Sequence, residues 1–106
     1  MAIDVNKVRV QFYLDTGAEV NIINQETHER IGAPALQHCD IRARMYNGQI
    51  ATFLGKVHAK FKRRKNMTRD VFYVAPRGSL NLLSYATMKR LGLYVMDVEA
   101  DNVETP

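Results

Sequence analysis

The feature that most constrains this fold is a short polar loop held between two apolar segments. Residues 15–17 read Asp-Thr-Gly. Every second residue from position 8 to position 14 is apolar, and Val20, Ile22 and Ile23 follow the loop. Strict alternation predicts a half-buried strand, and Gly favours a turn. The pattern therefore predicts a strand, a tight loop and a second strand, with the carboxylate of Asp15 at the mouth of the loop.

Each residue of this loop offers a different property. Asp15 supplies a carboxyl group that can carry a proton, and Thr16 supplies a hydroxyl that can hydrogen-bond nearby backbone. Gly17 is expected to allow a backbone conformation that a side chain would forbid, and to let a substrate approach closely. Taken alone, these three residues are also typical of an ordinary turn capped by its Asp.

The longer sequence around the loop carries more information. YLDTGAEVNII, from Tyr13 to Ile23, resembles the catalytic loop of retropepsin-like aspartic proteases of retroviruses and of Ty3/gypsy-like or BEL-like retrotransposons. Residues 80–93 resemble the second motif of that family, and residues 88–93 favour a retrotransposon branch or a host gene derived from one. The resemblance covers residues 8–95. It implies an all-β fold: a small closed barrel with a flap hairpin and one or two short helices, assembled as a two-fold homodimer.

The resemblance also implies site residues. Asp15 would activate water, Thr16 would brace two such loops across a dimer axis, and Gly17 would line the floor under a peptide. The hairpin around Asn47-Gly48 resembles the flap of the family. The substrate-binding residues implied, from the loop, the flap tip and the pocket walls, are Ala18, Glu19, Ile22, Tyr46, Asn47, Gly48, Gln49, Ile50, Leu80 and Leu82.

Aspartic-protease chemistry needs two carboxylates, one as base towards water and one as proton donor to the substrate carbonyl. The chain holds one Asp-Thr-Gly, and 106 residues are too few for two such lobes. A second copy is therefore expected to supply the second Asp15, as a closed symmetric dimer allows. The implied reaction hydrolyses an extended peptide or a polyprotein, with no metal and no cofactor.

The sequence departs from the family pattern in its second motif. Ser84-Tyr85-Ala86 stands where the family usually has Gly, then often Arg, then Asn or Asp, and Glu19 stands where many retroviral enzymes have Asp. An alternative therefore stays open, in which the fold is a catalytically silent dimerisation or protein-binding module.

Length and composition bear on the domain organisation, the compartment and the partners of the chain. The length predicts one domain over residues 1–106, with a core at about 7–98 and loosely held ends, and no internal repeat is evident. The lone Cys39 favours a reducing, intracellular compartment, most simply the cytoplasm, or a domain cut from a larger polyprotein. No apolar segment is long enough for a transmembrane helix and no secretion signal is evident, so no membrane partner is expected. His38, Cys39 and Asp40 are adjacent and cannot all face one metal ion.

Basic residues are concentrated in one place. Residues 56–69 hold seven of the 15 Lys and Arg residues and no Asp or Glu. The segment from Lys60 to Lys65 could contact phosphates, which would make the chain a basic nucleic-acid-binding β domain. A solvated hairpin turn that discourages edge-to-edge pairing is the favoured interpretation, so nucleic acid is not expected as a partner.

Local patterns predict the elements. Asn24 and Ser84 are expected to cap helices over 25–31 and 85–91 that end at Gly32 and Gly92. A turn is expected at 63–66. The predicted strands are 7–14, 20–23, 41–45, 50–61 with a bend at Gly55, 67–75, 80–83 and 93–98.

Overall fold

The computed structural model describes residues 1–39, 42–44 and 50–93. This part of the chain forms nine strands and two short helices, so the predicted mostly-β fold is confirmed. The elements are β1 Ala2–Val5, β2 Val8–Gln11, β3 Tyr13–Asp15, β4 Asn21–Asn24, α1 Gln25–Arg30, β5 Arg42–Arg44, β6 Ile50–Thr52, β7 Gly55–Arg63, β8 Asn66–Ala75, β9 Leu82–Ser84 and α2 Tyr85–Arg90.

Seven strands form one sheet that curls almost into a barrel. Their order is β2-β1-β7-β8-β4-β9-β3, so β2 and β3 lie at opposite edges. Only Phe12 separates these two strands in the chain, and therefore the sheet must wrap around to bring its edges together. The backbone N–H of Phe12 donates to Met1 and that of Tyr13 donates to Asn81, which ties the junction to both edges. β5 and β6 form a separate two-stranded sheet.

Three phenylalanines fill the centre of the curled sheet. The rings of Phe61 and Phe72 stack with their centroids 4.1 Å apart, and Phe12 lies 6.0 Å from Phe72. All three are buried in one core with Met88 of α2 and with Ile31 and Leu91, which follow the two helices. Such stacked aromatic pairs stabilise a core beyond the area that they bury.

The expectation of a loosely held N-terminus is wrong. Residues 2–5 form β1, which pairs with β2 and also contacts β7 at Val5 and Phe61. Ile3 and Val5 are buried in the main core. Asn6 and Lys7, both with positive φ, make the tight turn between β1 and β2. The strand was missed because it is only four residues long, and pairing with β2 and with the distant β7 stabilises it.

The helices begin and end almost as the sequence predicts. The Asn24 side chain accepts a hydrogen bond from the Thr27 N–H, and the Ser84 hydroxyl accepts one from Thr87. Each helix is one residue shorter than predicted. The predicted 50–61 strand is interrupted before Gly55, and the 63–66 turn is present between β7 and β8. The strand predicted from 93 to 98 lies outside the described residues except for Leu93.

The structure also corrects the expectation of no internal repeat. Residues 8–33 and 68–93 have the same order of strand, loop, strand, cap and helix at an offset of 60 positions. The parallel pairing of Tyr13 with Leu82 is matched by the pairing of Tyr73 with Ile22. β4 and β9 meet at Ile22 and Leu82, which are equivalent positions. The identical pairs are Arg9/Arg69, Phe12/Phe72, Tyr13/Tyr73, Asn21/Asn81, Thr27/Thr87, Arg30/Arg90 and Gly32/Gly92.

Two asparagines at the centre of this repeat tie its halves together. The Asn21 carboxamide accepts from the Ser84 N–H at 2.9 Å and donates to the Thr87 hydroxyl at 2.9 Å. The Asn81 carboxamide accepts from the Asn24 N–H at 2.8 Å and donates to the Thr27 hydroxyl at 2.9 Å. We refer to these reciprocal bonds as the asparagine clasp.

The clasp extends to the strands. The third bond of each asparagine goes to a repeat-equivalent carbonyl, that of Val71 for Asn21 and that of Gln11 for Asn81. Each side chain therefore fixes a helix cap of the other half and an adjoining strand. Since buried polar groups are costly when unpaired, the bonds of the clasp depend on one another.

Loss of the clasp should destabilise the fold unequally. Asn21 is only 4% exposed, whereas Asn81 is half-buried. Asn21→Ala should lower the free energy of unfolding by about 2–4 kcal/mol and Asn81→Ala by about 1–2 kcal/mol, because each leaves N–H and hydroxyl groups unpaired. Urea denaturation followed by circular dichroism measures both. The exposed Asn66 is a matched control, and equal losses for Asn66→Ala and Asn21→Ala would contradict the clasp.

Candidate active site

The Asp-Thr-Gly loop begins where β3 ends. The Asp15 carboxylate is exposed and its Oδ1 accepts a hydrogen bond of 2.9 Å from the Gly17 N–H. The Asp15 carbonyl accepts a second bond of 2.9 Å from the Ala18 N–H, which closes the turn. A side-chain oxygen that accepts from the residue two positions on is an Asx turn, and it fixes the carboxylate against its own loop. The second oxygen of the carboxylate remains available to solvent or to a substrate.

The expectation that Gly17 adopts a backbone conformation forbidden to a side chain is wrong. Its φ is not positive, so the loop does not demand a backbone conformation that side chains avoid. A Cβ built on Gly17 would meet Asp15 Oδ1 at 3.4 Å, an ordinary contact. The absence of a side chain therefore keeps the space beside the carboxylate open, while the N–H holds it.

Strand alternation turns the carboxylate away from the core. Leu14 and Leu83, which pair across β3 and β9, pack in or against the main core. Tyr13, Asp15 and Leu82 take the alternate positions and therefore face the opposite side. Tyr13 is 63% exposed, although it is an aromatic residue on an edge strand.

A small apolar cluster lies on this side of the sheet. Its buried members are Ile22, Phe53 and Ala75, with Val20, Cys39, Tyr73 and Leu82 packed against them. Leu82 pairs with Tyr13, two residues before Asp15, so the cluster begins roughly 8 Å from the carboxylate. Phe53 and Tyr73 contribute tilted rings 5.3 Å apart. The arrangement is a carboxylate beside a separate apolar surface, which suits a substrate with both a reacting polar group and an apolar side chain.

Tyr73 remains neutral within this cluster. Partial burial raises the pKa of its hydroxyl, and the neighbouring Cys39 raises the same pKa further. The phenol therefore adds no charge near Asp15 at neutral pH. In the described residues, no group of three or more His, Cys, Asp or Glu side chains could hold a metal ion.

The structure places several of the residues that the resemblance implied near one another. Ile22 and Leu82 pair directly and share the small apolar cluster. Ala18 is half-buried, and Thr16 and Glu19 are exposed on the loop. Thr16 has no hydrogen-bond partner among the described residues of this single chain.

Leu80 and the residues of the implied flap have a different outcome from Ile22 and Leu82. The expectation that Leu80 belongs to a buried strand is wrong, because β9 begins at Leu82 and Leu80 is 42% exposed. Ile50 begins β6, and its side chain is outside the description. The flap-tip residues Tyr46, Asn47, Gly48 and Gln49 lie outside the described residues altogether.

The repeat shows which half carries the polar chemistry. Ala75 occupies the position equivalent to Asp15, and it is buried in the small apolar cluster. The second half therefore presents a methyl group where the first presents a carboxylate. Ser84, at the position of the usual family Gly, is buried and caps α2. Its hydroxyl bonds the N–H and the hydroxyl of Thr87.

Sequence reasoning missed the residues that support the site. Phe53 lies just before β7, whereas Tyr73 and Ala75 lie on β8, and the pairing of these strands brings them together. The asparagine clasp was also missed, although the repeated Asn, Thr, Arg and Gly at an offset of 60 would have revealed it. None of the helices in the described ranges is long and apolar enough to cross a membrane.

The curled sheet and its loop define a retropepsin-like aspartic protease fold. The chain superposes on the EIAV protease in complex with the inhibitor HBY-793, with a TM-score of 0.75, 15% identity and coverage of 87% of this chain and 86% of that one. A retropepsin-like aspartic protease from Rickettsia conorii gives a TM-score of 0.64 at 17% identity, over 85% and 69% of the two chains. The retroviral protease-like domain of Ddi1 from Leishmania major gives 0.64 at 21% identity, over 84% and 73%.

The sequence itself identifies the family. The family model of the gag-polyprotein putative aspartyl protease matches residues 1–84. The chain therefore belongs to this family. No protein of curated function has a significantly similar sequence.

Two glycine variants test whether the space beside Gly17 is open and the space beside Gly55 is filled. Gly17→Ala should change the free energy of unfolding by less than about 0.5 kcal/mol, because its Cβ meets only ordinary contacts. Gly55→Ala should cost about 1–3 kcal/mol, because its Cβ would come within 2.9 Å of the Gln37 carbonyl. Thermal and urea unfolding measure both. A larger loss for Gly17→Ala than for Gly55→Ala would contradict this geometry.

Proposed function

We propose that the chain is one half of a homodimeric aspartic endopeptidase. Asp15 carries the proposal, because its exposed carboxylate is held by the Gly17 N–H on the face of the sheet that bears the small apolar cluster. Membership of the aspartyl protease family supports the same chemistry. The buried Ala75 at the equivalent position supports a second copy as the source of the second carboxylate, because it removes the repeat as an internal source.

In this mechanism the two Asp15 side chains share one proton, because two carboxylates so close cannot both be ionised. The ionised carboxylate takes a proton from water as the water oxygen attacks the peptide carbonyl. The protonated carboxyl donates its proton to the carbonyl oxygen, giving a tetrahedral diol. The diol then collapses, the C–N bond breaks and the amine leaves with a proton returned by the dyad. Thr16 would brace the two loops and Gly17 would keep the floor open.

The proposed substrate is an extended peptide or polyprotein segment. Its backbone would lie between the loop and a flap formed by Tyr46, Asn47, Gly48, Gln49 and Ile50, in the manner of an added strand. Ile22 and Leu82 would receive an apolar side chain beside the cut, with Ala18, Glu19 and Leu80 at the rim. Exposed Leu80 suits a residue that becomes covered only when a peptide binds.

A second candidate is a dimerising or protein-binding module without catalysis. Ser84 and Tyr85 favour it, because they replace the usual Gly-Arg and Tyr85 is exposed rather than engaged in an ion pair. A solved neighbour is itself described as a protease-like domain. In this case Asp15 would have no chemical role.

Asp15→Asn distinguishes the two candidates. The substitution keeps the shape of the side chain and its bond to Gly17 but removes the ionisable carboxyl, so peptide cleavage should fall by at least about 1,000-fold. Cleavage of a diverse peptide library, read by mass spectrometry between mildly acidic and neutral pH, measures this. Asp4→Asn is the matched control, since Asp4 lies on β1 and pairs with Arg9. Equal cleavage by Asp15→Asn and the unmutated chain would refute the protease.

Mixing the two chains tests the shared site. When equal amounts of unmutated and Asp15→Asn chains exchange freely, about one quarter of the dimers hold two intact carboxylates. The activity should therefore fall to about a quarter of that of the same total concentration of unmutated chain. A fall to one half would indicate that each chain acts independently, and would contradict the dimer.

The rate should also have a bell-shaped pH dependence. Only the singly protonated pair has both a base and a proton donor, so activity should fall on either side of an optimum. Initial rates with one cleavable peptide across the pH range measure this. A rate that rises steadily into alkaline pH would contradict a carboxyl dyad.

A further inference from the structure

The outer face of the β7–β8 hairpin carries a concentrated positive charge. Along β7, Val57, Ala59 and Phe61 face the core, so Lys60 and Lys62 face outwards. Arg69 of β8 lies directly opposite Lys60 and shares this face. Arg64 and Lys65 are exposed at the turn. We refer to Lys60, Lys62, Arg64, Lys65 and Arg69 as the basic face.

The nearby carboxylates do not neutralise this face. Asp70 follows Arg69 but points to the inner side, where it accepts from Arg90 and from the Thr87 hydroxyl, both at 3.1 Å. Asp4 lies opposite Lys62 in β1, and its carboxylate is 3.6 Å from the guanidinium of Arg9. Across the described residues, none of the five basic-face side chains makes an ion pair. The positive charge therefore remains available to a partner.

The fold explains only part of this arrangement. β4 pairs with β8 at residues 72–75, and no described strand lies beside residues 66–71 of β8 on that side, so Arg69 can protect an exposed edge. Edge protection does not explain Lys60 and Lys62, because β1 pairs at Lys62 and Asn6 bonds the backbone of Lys60. Like charges directly opposite each other in a sheet are destabilising, and Lys60 faces Arg69. This cost points to a ligand that the charges serve.

We propose that the basic face binds the phosphate backbone of single-stranded nucleic acid. Lys60 and Lys62 lie roughly 7 Å apart along the strand and lead to Arg64 and Lys65 at the turn, so the charges form a row that suits a linear polyanion. Of the Phe and Tyr residues of β7 and β8, Tyr73 alone lies on the outer side, and it is engaged with Phe53. Recognition therefore rests on phosphates and is independent of base sequence and strongly dependent on salt.

The basic face and the small apolar cluster occupy different parts of β8. Arg69, the member of the basic face nearest to Tyr73 along this strand, is four residues away, which is roughly 13 Å at the rise of a strand. This binding does not depend on proteolysis, so it can be tested separately from the proposed function.

A matched pair of charge variants tests the proposal. Lys62→Gln/Arg69→Gln and Arg42→Gln/Lys89→Gln each lower the net charge from +4 by two, and all four residues are exposed. Fluorescence anisotropy with a labelled mixed-sequence single-stranded oligonucleotide, at salt from 50 to about 200 mM, gives Kd and its salt slope. The first variant should raise Kd about tenfold and reduce the slope by about 1.4, and the second should leave both nearly unchanged.

Three results would overturn the proposal. The first is that the unmutated chain does not bind the oligonucleotide at 50 mM salt. The second is that both variants weaken binding equally. The third is that the chain binds anionic phosphatidylserine vesicles more tightly than the oligonucleotide, and that this binding also depends on Lys62 and Arg69. The last would assign the face to a membrane surface instead.

A charge-reversal variant tests the binding without lowering the stability of the fold. Arg69→Glu places a carboxylate opposite Lys60, so the melting temperature should stay the same or rise while Kd for the oligonucleotide rises about tenfold or more. An unchanged Kd in a folded Arg69→Glu chain would contradict the proposal.

Discussion

The structure depends most on two amide side chains that bind across a pseudo-symmetry axis. Asn21 and Asn81 satisfy the backbone N–H groups at the caps of both helices, and each also bonds the buried Thr of the opposite helix. These N–H groups have no partner inside their own helices. The two short helices, which would be unstable alone, are thereby fixed to the sheet. Asp15 benefits directly, because its strand pairs with β9, which begins next to Asn81.

The two halves of the repeat share a backbone arrangement but differ in the side chain at one important position. The same backbone position carries an exposed acid in one half and a buried methyl in the other. The first half has thus kept the polar loop, whereas the second contributes an apolar wall. The basic face lies mostly before the second half, because only Arg69 belongs to residues 68–93, and its equivalent in the first half is also an arginine, Arg9.

Features that depend on residues close in sequence were predictable, whereas contacts between residues far apart in sequence were not. The caps at Asn24 and Ser84, the turn at 63–66 and the loop at Asp15 follow from residues close in sequence. β1 was missed because it is short and depends on pairing with β2 and β7, and the repeat was missed because its identical residues are sparse. Leu80 to Leu83 looked like one buried strand, but Asn81 turns inwards to its clasp partners and leaves Leu80 outside. The small apolar cluster could not be predicted, since sheet order alone brings Phe53 and Tyr73 together.

The parallel pairing of β3 with β9 has a consequence for the order of folding. β3 has no strand neighbour on either side until β9 inserts beside it, and the two are separated by most of the described chain. Contacts of such long range slow folding, because the loop between them must close first. During synthesis the segment carrying Asp15 leaves the ribosome before β9, its partner strand. The loop is therefore shaped late, and a nascent or truncated chain that ends before β9 lacks the scaffold that positions its carboxylate.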